Sequence, residues 1–479
     1  MATNTPSDAA TTVQLSPKTS PGYTHVAGLT DESAKKTSEL LTVNHKLYHT
    51  RWNLTFHNHI AHHLLAIWAL GGSPAEIQDM WDYNAPYQGA IERPRAADSP
   101  EPDLKDPVQF EKCLGVDDCY LDFLRFFEGE IAEKGVPAVI HEYLLKGDER
   151  ADDIFGRMYT DLVHPIIHLG SALEFDQPGL VAEALAGACV HFSWPKTFLL
   201  PTEEHVRSSP GEQSTPFLQL LDGMRHDPII ATGVRDGDPF NKIPDAFLKR
   251  VTPAQLVPHL SRFRVKAEPE DLRRKTTEML YASAYVLGAA QRPGKREKMD
   301  FVTLHSATLA VFYPALLALD WLSDAEKARM LEAKVRVDAV MYAGCACPAL
   351  YPERIIDYVP QHPADGWPEL IHRAIVYRDE GHAAKLIRAL YCVEQLNEPV
   401  PENFPIGKEH LIKIAHMAMD SIEASLEPDG HNTPDHVAKA VLDRVGHGGE
   451  MVLNNTIRWV FYGGLEKAWL YVPEKKIPV

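Results

Sequence analysis

Long basic blocks are missing from this 479-residue chain, in which 48 Lys and Arg stand against 66 Asp and Glu, a formal charge of −18. Without a cationic patch the counterion release that drives nucleic-acid affinity has nothing to act through, so no nucleic-acid partner is expected. Cysteine is scarce too: six occur, the nearest pair being Cys345 and Cys347. That count excludes a disulfide scaffold and predicts a reduced, cytoplasmic compartment. The opening "MATNTPSDAATTVQLSPKTS" lacks the apolar core of a signal peptide. Apolar runs such as "GLVAEALAGACVHF" and "TLHSATLAVFYPALLAL" are interrupted by His, Glu, Ser or Pro short of a membrane span. They read as buried helices, and no stable membrane insertion is expected.

Strand patterns are equally rare: apolar residues recur at three- and four-residue spacing, with almost no alternating runs bounded by Asn-Gly or Asp-Gly turns. The predicted fold is all-α, a single large multi-helix domain over residues 36–479 with long irregular connections, preceded by an N-terminal tail over residues 1–35. Helices are predicted over 56–70, 152–173, 271–289, 300–319, 324–341, 368–395, 405–426 and, with breaks, 434–470. "AIERPRAADSPEPDLKDP" and "LLPTEEHVRSSPGEQSTP" read as surface connections.

Several cofactor signatures are absent. No G-x-G-x-x-G follows a strand, no H-E-x-x-H or G-x-S-x-G occurs, and none of the 23 histidines is followed two residues later by Asp or Glu. A Rossmann flavin or nicotinamide domain, a zincin and a serine hydrolase are therefore unsupported. "ELIH" at Glu369 to His372, with Asp161–His164 and Asp379–His382 as weaker echoes, falls short of the two E-x-x-H units of a di-iron bundle.

What the chain does have is clustered histidine. "FHNHIAHHLLAIWALGG" puts His57, His59, His62 and His63 within seven positions, and on a helix His59 and His63 share a face. "DLVHPIIHLGSALEF" repeats the i, i+4 spacing with His164 and His168 in an apolar stretch, where a Pro165 kink re-aims one ring. His305 is the lone histidine of "FVTLHSATLAVFYPALLAL", and "YRDEGHAAKLIRAL" sets His382 and Lys385 three apart on one face. Burying imidazoles among Ile, Leu and Val is costly unless their nitrogens find partners, and a metal is one such partner. The plainer reading makes them hydrogen-bonded core histidines, and Lys385 a snorkelling lysine on an amphipathic helix. A buried lysine whose amine becomes neutral can instead take up CO₂ as a carbamate, an anionic oxygen ligand.

"FHNHIAHHLLAIWALGG", "HPIIHLGSALEF", "FVTLHSATLA" and "DEGHAAKLIRAL", in this order, resemble the questin oxidase-like family of fungal secondary metabolism, over about Val43 to Tyr471. The resemblance implies oxidative opening of the central quinone ring of an anthraquinone to a benzophenone-type product. The family's pattern of several histidines with a carboxylated lysine around Fe(II) maps onto His63, His168, His305, His382 and Lys385. His59, His62 and His164 are further ligands or orienting groups; the choice within the 57–63 cluster stays open, with helical facing favouring His63. O₂ is the co-substrate, and NADPH an external reductant where one is needed. Trp68, Trp81, Tyr83 and Tyr159 are candidates to line a planar aromatic pocket, against the reading that they are plain core.

Three alternatives stand beside the Fe(II) dioxygenase. They are an NADPH-dependent Baeyer–Villiger-type monooxygenase on the same substrates, a metal hydrolase using zinc-bound hydroxide, and a non-catalytic protein binding aromatic polyketides.

Overall fold

The computed structural model describes residues 9–52, 56–91, 101–446 and 448–475, so part of the connection between Ala90 and Pro107 lies outside them. Principal helices run over Asp31–Leu47 (α1), Ile60–Ala69 (α2), Tyr120–Lys134 (α3), Glu149–Met158 (α4), His164–Glu174 (α5), Pro178–Val190 (α6), Pro269–Ala289 (α7), Phe301–Ala310 (α8), Asp324–Gly344 (α9), Trp367–Val376 (α10), His382–Gln395 (α11) and Leu411–Ser425 (α12). Among the described residues the one sheet is a two-stranded antiparallel pair, Arg51–Trp52 (β1) with Phe56–His57 (β2), Arg51 opposite His57. The all-α expectation holds.

The chain divides into two compact units that interleave in sequence: residues 1–197, 312–326 and 380–385 form the first, and residues 198–311, 327–379 and 386–479 the second. In the first unit α6 packs against α3 and α5, and α2 against α1 and α5. Both α2 and α6 are buried almost all round, as a helix at the centre of a core must be. In α6 Ala184, Ala186, Gly187 and Ala188 keep its surface thin enough for close neighbours, and Glu183 is its one acid, fully buried. Thr30 caps α1 by accepting from the Ser33 N–H, with Asp31 and Glu32 complementing the helix dipole.

Within the segment read as a tail, Ala10 and Val13 are buried. The Gln14 N–H donates to Gln177 at 2.8 Å and the Leu15 N–H to Ser38 at 2.9 Å. Backbone groups withdrawn from water here find side-chain acceptors in the same unit.

In the second unit α7 packs against α8 and α12. Helix α9 carries a fully buried ion pair, Lys334 with Asp338, with Ser306 and Ser283 beside the ammonium. Burial pushes the lysine down and the aspartate up.

Several predicted helices are shorter than the periodicity implied. The first begins at Ile60, because Phe56 and His57 belong to β2. The second breaks between Met158 and His164, where Asp161, Leu162 and Val163 all take left-handed φ of 45°, 53° and 58°. Pro165 stands in the first turn of α5, where its missing N–H costs nothing, and so starts that helix instead of kinking it. The 300–319 stretch breaks after Ala310, and the 368–395 stretch breaks at Tyr377–Gly381, with Gly381 at φ +94°. Phe301–Ala318 meets the length and hydropathy of a membrane span, yet it is interrupted and mostly buried, as core helices are.

Candidate metal centre

Histidine accumulates in the core of the first unit. His59 caps the start of α2, His62 and His63 lie in its first turn, His164 and His168 lie on α5, and His382 opens α11. All six are buried, as are Glu380 and Lys385.

The geometry between His59 and His164 is the most informative in the unit. Their Nε2 atoms stand 2.9 Å apart. Nδ1 of His164 faces the Asp161 carbonyl at 2.5 Å, and Nδ1 of His59 faces the Glu380 carbonyl at 3.2 Å, with a Glu380 carboxylate oxygen at 3.7 Å. Carbonyl and carboxylate oxygens only accept, so in both rings the proton belongs on Nδ1 and the lone pair on Nε2. Two lone pairs then point at each other across a hydrogen-bond distance.

Adding a proton is the dear way to resolve that conflict. Burial, with Lys385 a further cause in each, holds His59 well below the ordinary imidazole range and His164 at about 3. A cation between the nitrogens resolves it directly: two nitrogens bound side by side at about 2.1 Å from one ion stand roughly 3 Å apart.

Other donors converge on the same place. His59, Glu380 and His382 offer ligand atoms within 4.8 Å of one another, and the His59 and His382 rings meet edge to face at 4.8 Å. His62, its ring 5.1 Å from that of His59, buries an Nδ1 with no hydrogen-bond partner among the described residues. Burial, then the charge of Lys385, pushes His62 far below its ordinary range as well. The donor set therefore fits a divalent ion of the borderline class, iron or zinc.

His63 lies against Gly381. Gly381 has φ +94°, and a Cβ built there would lie 2.4 Å from the His63 ring. The glycine lets the chain turn sharply before His382 while an imidazole lies against its backbone. Gly381→Ala is expected to destabilise the protein by about 1–3 kcal/mol through combined strain and overlap. A thermal melt together with metal content checks it, and an unchanged melt would remove the role given to Gly381.

His168 Nε2 lies 2.9 Å from Glu183 Oε2, an ion-pair distance. Glu183 Oε1 in turn accepts from His45 Nδ1 at 2.7 Å, and His45 Nε2 donates to Glu128 at 2.8 Å. Burial works against charging His45, but the two carboxylate bonds outweigh it and raise the imidazole to about 9. Burial likewise opposes ionising Glu183, whose bonds from His168 and His45 nevertheless hold it near 2. His45 is thus an imidazolium clamped between two carboxylates at neutral pH.

His305 belongs to the second unit, fully buried on α8, its Nδ1 donating to the Phe301 carbonyl at 2.6 Å. Beside the first unit's histidines is a cavity of about 20 Å³, room for one water-sized occupant, walled by His57, His62, His164, His168, His191 and Glu183 among others. None of the four aromatic candidates lines it. Trp68 is core, 5.8 Å from the Phe175 ring; Trp81 and Tyr83 are partly buried, Trp81 beside Tyr48; Tyr159 is core, its hydroxyl 3.3 Å from that of Tyr313.

A questin oxidase-like family model matches residues 56–390. The chain belongs to that family. Similar proteins include Oxidoreductase AflY of Aspergillus parasiticus, 44% identical over 96% of this chain and 93% of its own. Questin oxidase of Aspergillus fumigatus is 37% identical over 82% of this chain and 89% of its own, and Baeyer-Villiger oxidase ptaJ of Pestalotiopsis fici is 36% identical over 81% and 88%. The names of these family members are those of oxidoreductases. His59, His62, His63, His164, His168 and His382 all fall inside the matched span.

Sequence reasoning missed Glu380, Glu183 and His191, and read Asp161 only as part of a weak Asp-x-x-His echo. Glu380 had a local signal, since Glu-x-His in "DEGHAAK" is the reverse of the His-x-carboxylate order. Glu183 and His191 had none, because their side-chain partners His45, His168 and His57 are remote in sequence or on another element.

Proposed function

We propose that this chain is an iron-dependent oxygenase that opens the quinone ring of an anthraquinone, with His59, His164, His382 and a carbamate on Lys385 as the principal ligands. The observation that carries it is the pair of Nε2 lone pairs facing each other at 2.9 Å. Fe(II), when bound, supplies the one-electron chemistry that makes ground-state O₂ reactive. The substrate class is proposed from the names of the relatives, above all Questin oxidase.

The chain's own residues do the positioning. The Asp161 and Glu380 carbonyls fix the tautomers of His164 and His59, so both present Nε2. His62 lies beside the His59 ring, and His63 lies against Gly381, the residue before His382. Burial of the whole group keeps bulk water away from the reacting centre.

The test is metal counting by mass spectrometry on protein reconstituted with Fe(II) without air, followed by ¹⁸O₂ labelling of product. Near-stoichiometric iron, lost in His59→Ala, with both oxygen atoms from O₂ in the product, is the expected result. One labelled atom with strict dependence on NADPH would replace the dioxygenase reading with the Baeyer–Villiger one, which the name of the Pestalotiopsis fici relative favours. Iron retained in full by His59→Ala would overturn the ligand assignment. The same count on His305→Ala tests the ligand role that the family pattern implies for that residue.

A further inference from the structure

A second set of donors lies in the first unit and shares no residue with the ligands proposed above. Nε2 of His57, on β2, stands 2.9 Å from Nε2 of His191, which follows α6. Nδ1 of His191 donates to the Gly187 carbonyl, so the His191 lone pair lies on Nε2. Facing that lone pair, at 3.6 Å, is Oδ2 of Asp161. A carboxylate aimed at an acceptor nitrogen is repulsive unless a proton or a cation stands between them.

Arg51 is the cation nearest in influence to Asp161, but its guanidinium is bonded to Asp117 and to the Val190 carbonyl. The Asp161 carboxylate is delivered by three successive left-handed residues, Asp161, Leu162 and Val163, a conformation side chains disfavour. His57, Asp161 and His191 together present one donor atom each within 4.8 Å of the others.

We infer that His57, Asp161 and His191 form a second divalent-cation site, two imidazoles and a carboxylate, suited to zinc, cobalt or iron. It sits against the first centre: the His57 ring stacks on His164 at 3.8 Å and 3°, and the Asp161 carbonyl takes the His164 Nδ1 proton. Asp161 therefore serves both places, its backbone orienting one ligand and its side chain supplying another. Three protein donors leave coordination positions for water or a small anion.

The experiment titrates the metal-stripped full-length protein with Co²⁺ alone, counting bound metal after gel filtration and following the visible d–d bands. The wild type is expected to hold two Co²⁺ per chain, His191→Ala one and His59→Ala one, with different spectra for the two singly loaded variants. Asp161→Asn, which keeps the backbone carbonyl, is expected to weaken the His191-dependent ion about 10- to 100-fold, and covers the case that His191→Ala does not fold by circular dichroism. One equivalent in the wild type, kept by His191→Ala and by Asp161→Asn but lost by His59→Ala, overturns this site and leaves the first standing, with His57 and His191 joined by an ordinary N–H···N bond. One equivalent with the opposite pattern keeps this site and overturns the first. No bound cobalt in the wild type overturns both.

Discussion

Replacing Lys385 with alanine is expected to lower turnover about 10²-fold or more and to strip the protein of iron. Lys385 lies buried in the first turn of α11, its N–H bonded to the Gly381 carbonyl at 3.0 Å. As an ammonium it is one of the causes that keep His59, His62 and His164 unprotonated. As a carbamate the same position carries an anion, which favours a cation among those rings.

Lys385→Arg separates the two states. Arginine keeps the positive charge at any working pH and forms no carbamate there, so this variant is also expected to lose iron and activity. A small carboxylate supplied in solution should restore part of the turnover of Lys385→Ala and none of that of Lys385→Arg. Full turnover by either variant, measured alongside iron content, would eliminate the carbamate.

The second large effect falls on stability. Glu183→Ala leaves His45 and His168 buried without the carboxylate that joins them, a change expected to cost about 3–5 kcal/mol. The pH dependence follows from the raised imidazole and the depressed carboxyl. The His45 contribution is complete below about 6.5 and lost as pH rises through about 9; the Glu183 contribution is complete above about 4.5 and lost as pH falls through about 2. The stability difference between wild type and Glu183→Ala should therefore be largest between those two ordinary values and shrink on either side. Denaturant unfolding at several pH values measures it, and a difference that grew steadily from pH 6.5 to 9 would contradict the charged His45 pairing.

The clustered imidazoles were legible because helical period and composition are local properties. Any buried helix carrying His62 and His63, or His164 and His168, advertises a polar group that must be satisfied. The breaks were less legible. Left-handed φ at Asp161, Leu162 and Val163 carries no glycine or asparagine marker, so the periodicity ran straight through the turn. Gly381 did carry a marker, and the break in the 368–395 stretch does end there, α11 starting at the next residue.

By itself, then, the sequence determined that the chain is helical, that its histidines would be buried among apolar neighbours, and which family it resembles. Those follow from side-chain chemistry read at short range. Tertiary structure alone decided that His59 meets His164 and Glu380, 105 and 321 residues away, that His168 turns to Glu183, and that His57 leaves its helix to face His191. Which lone pair points at which depends on the carbonyl each ring finds, and that carbonyl is placed by turns and packing that no local pattern encodes.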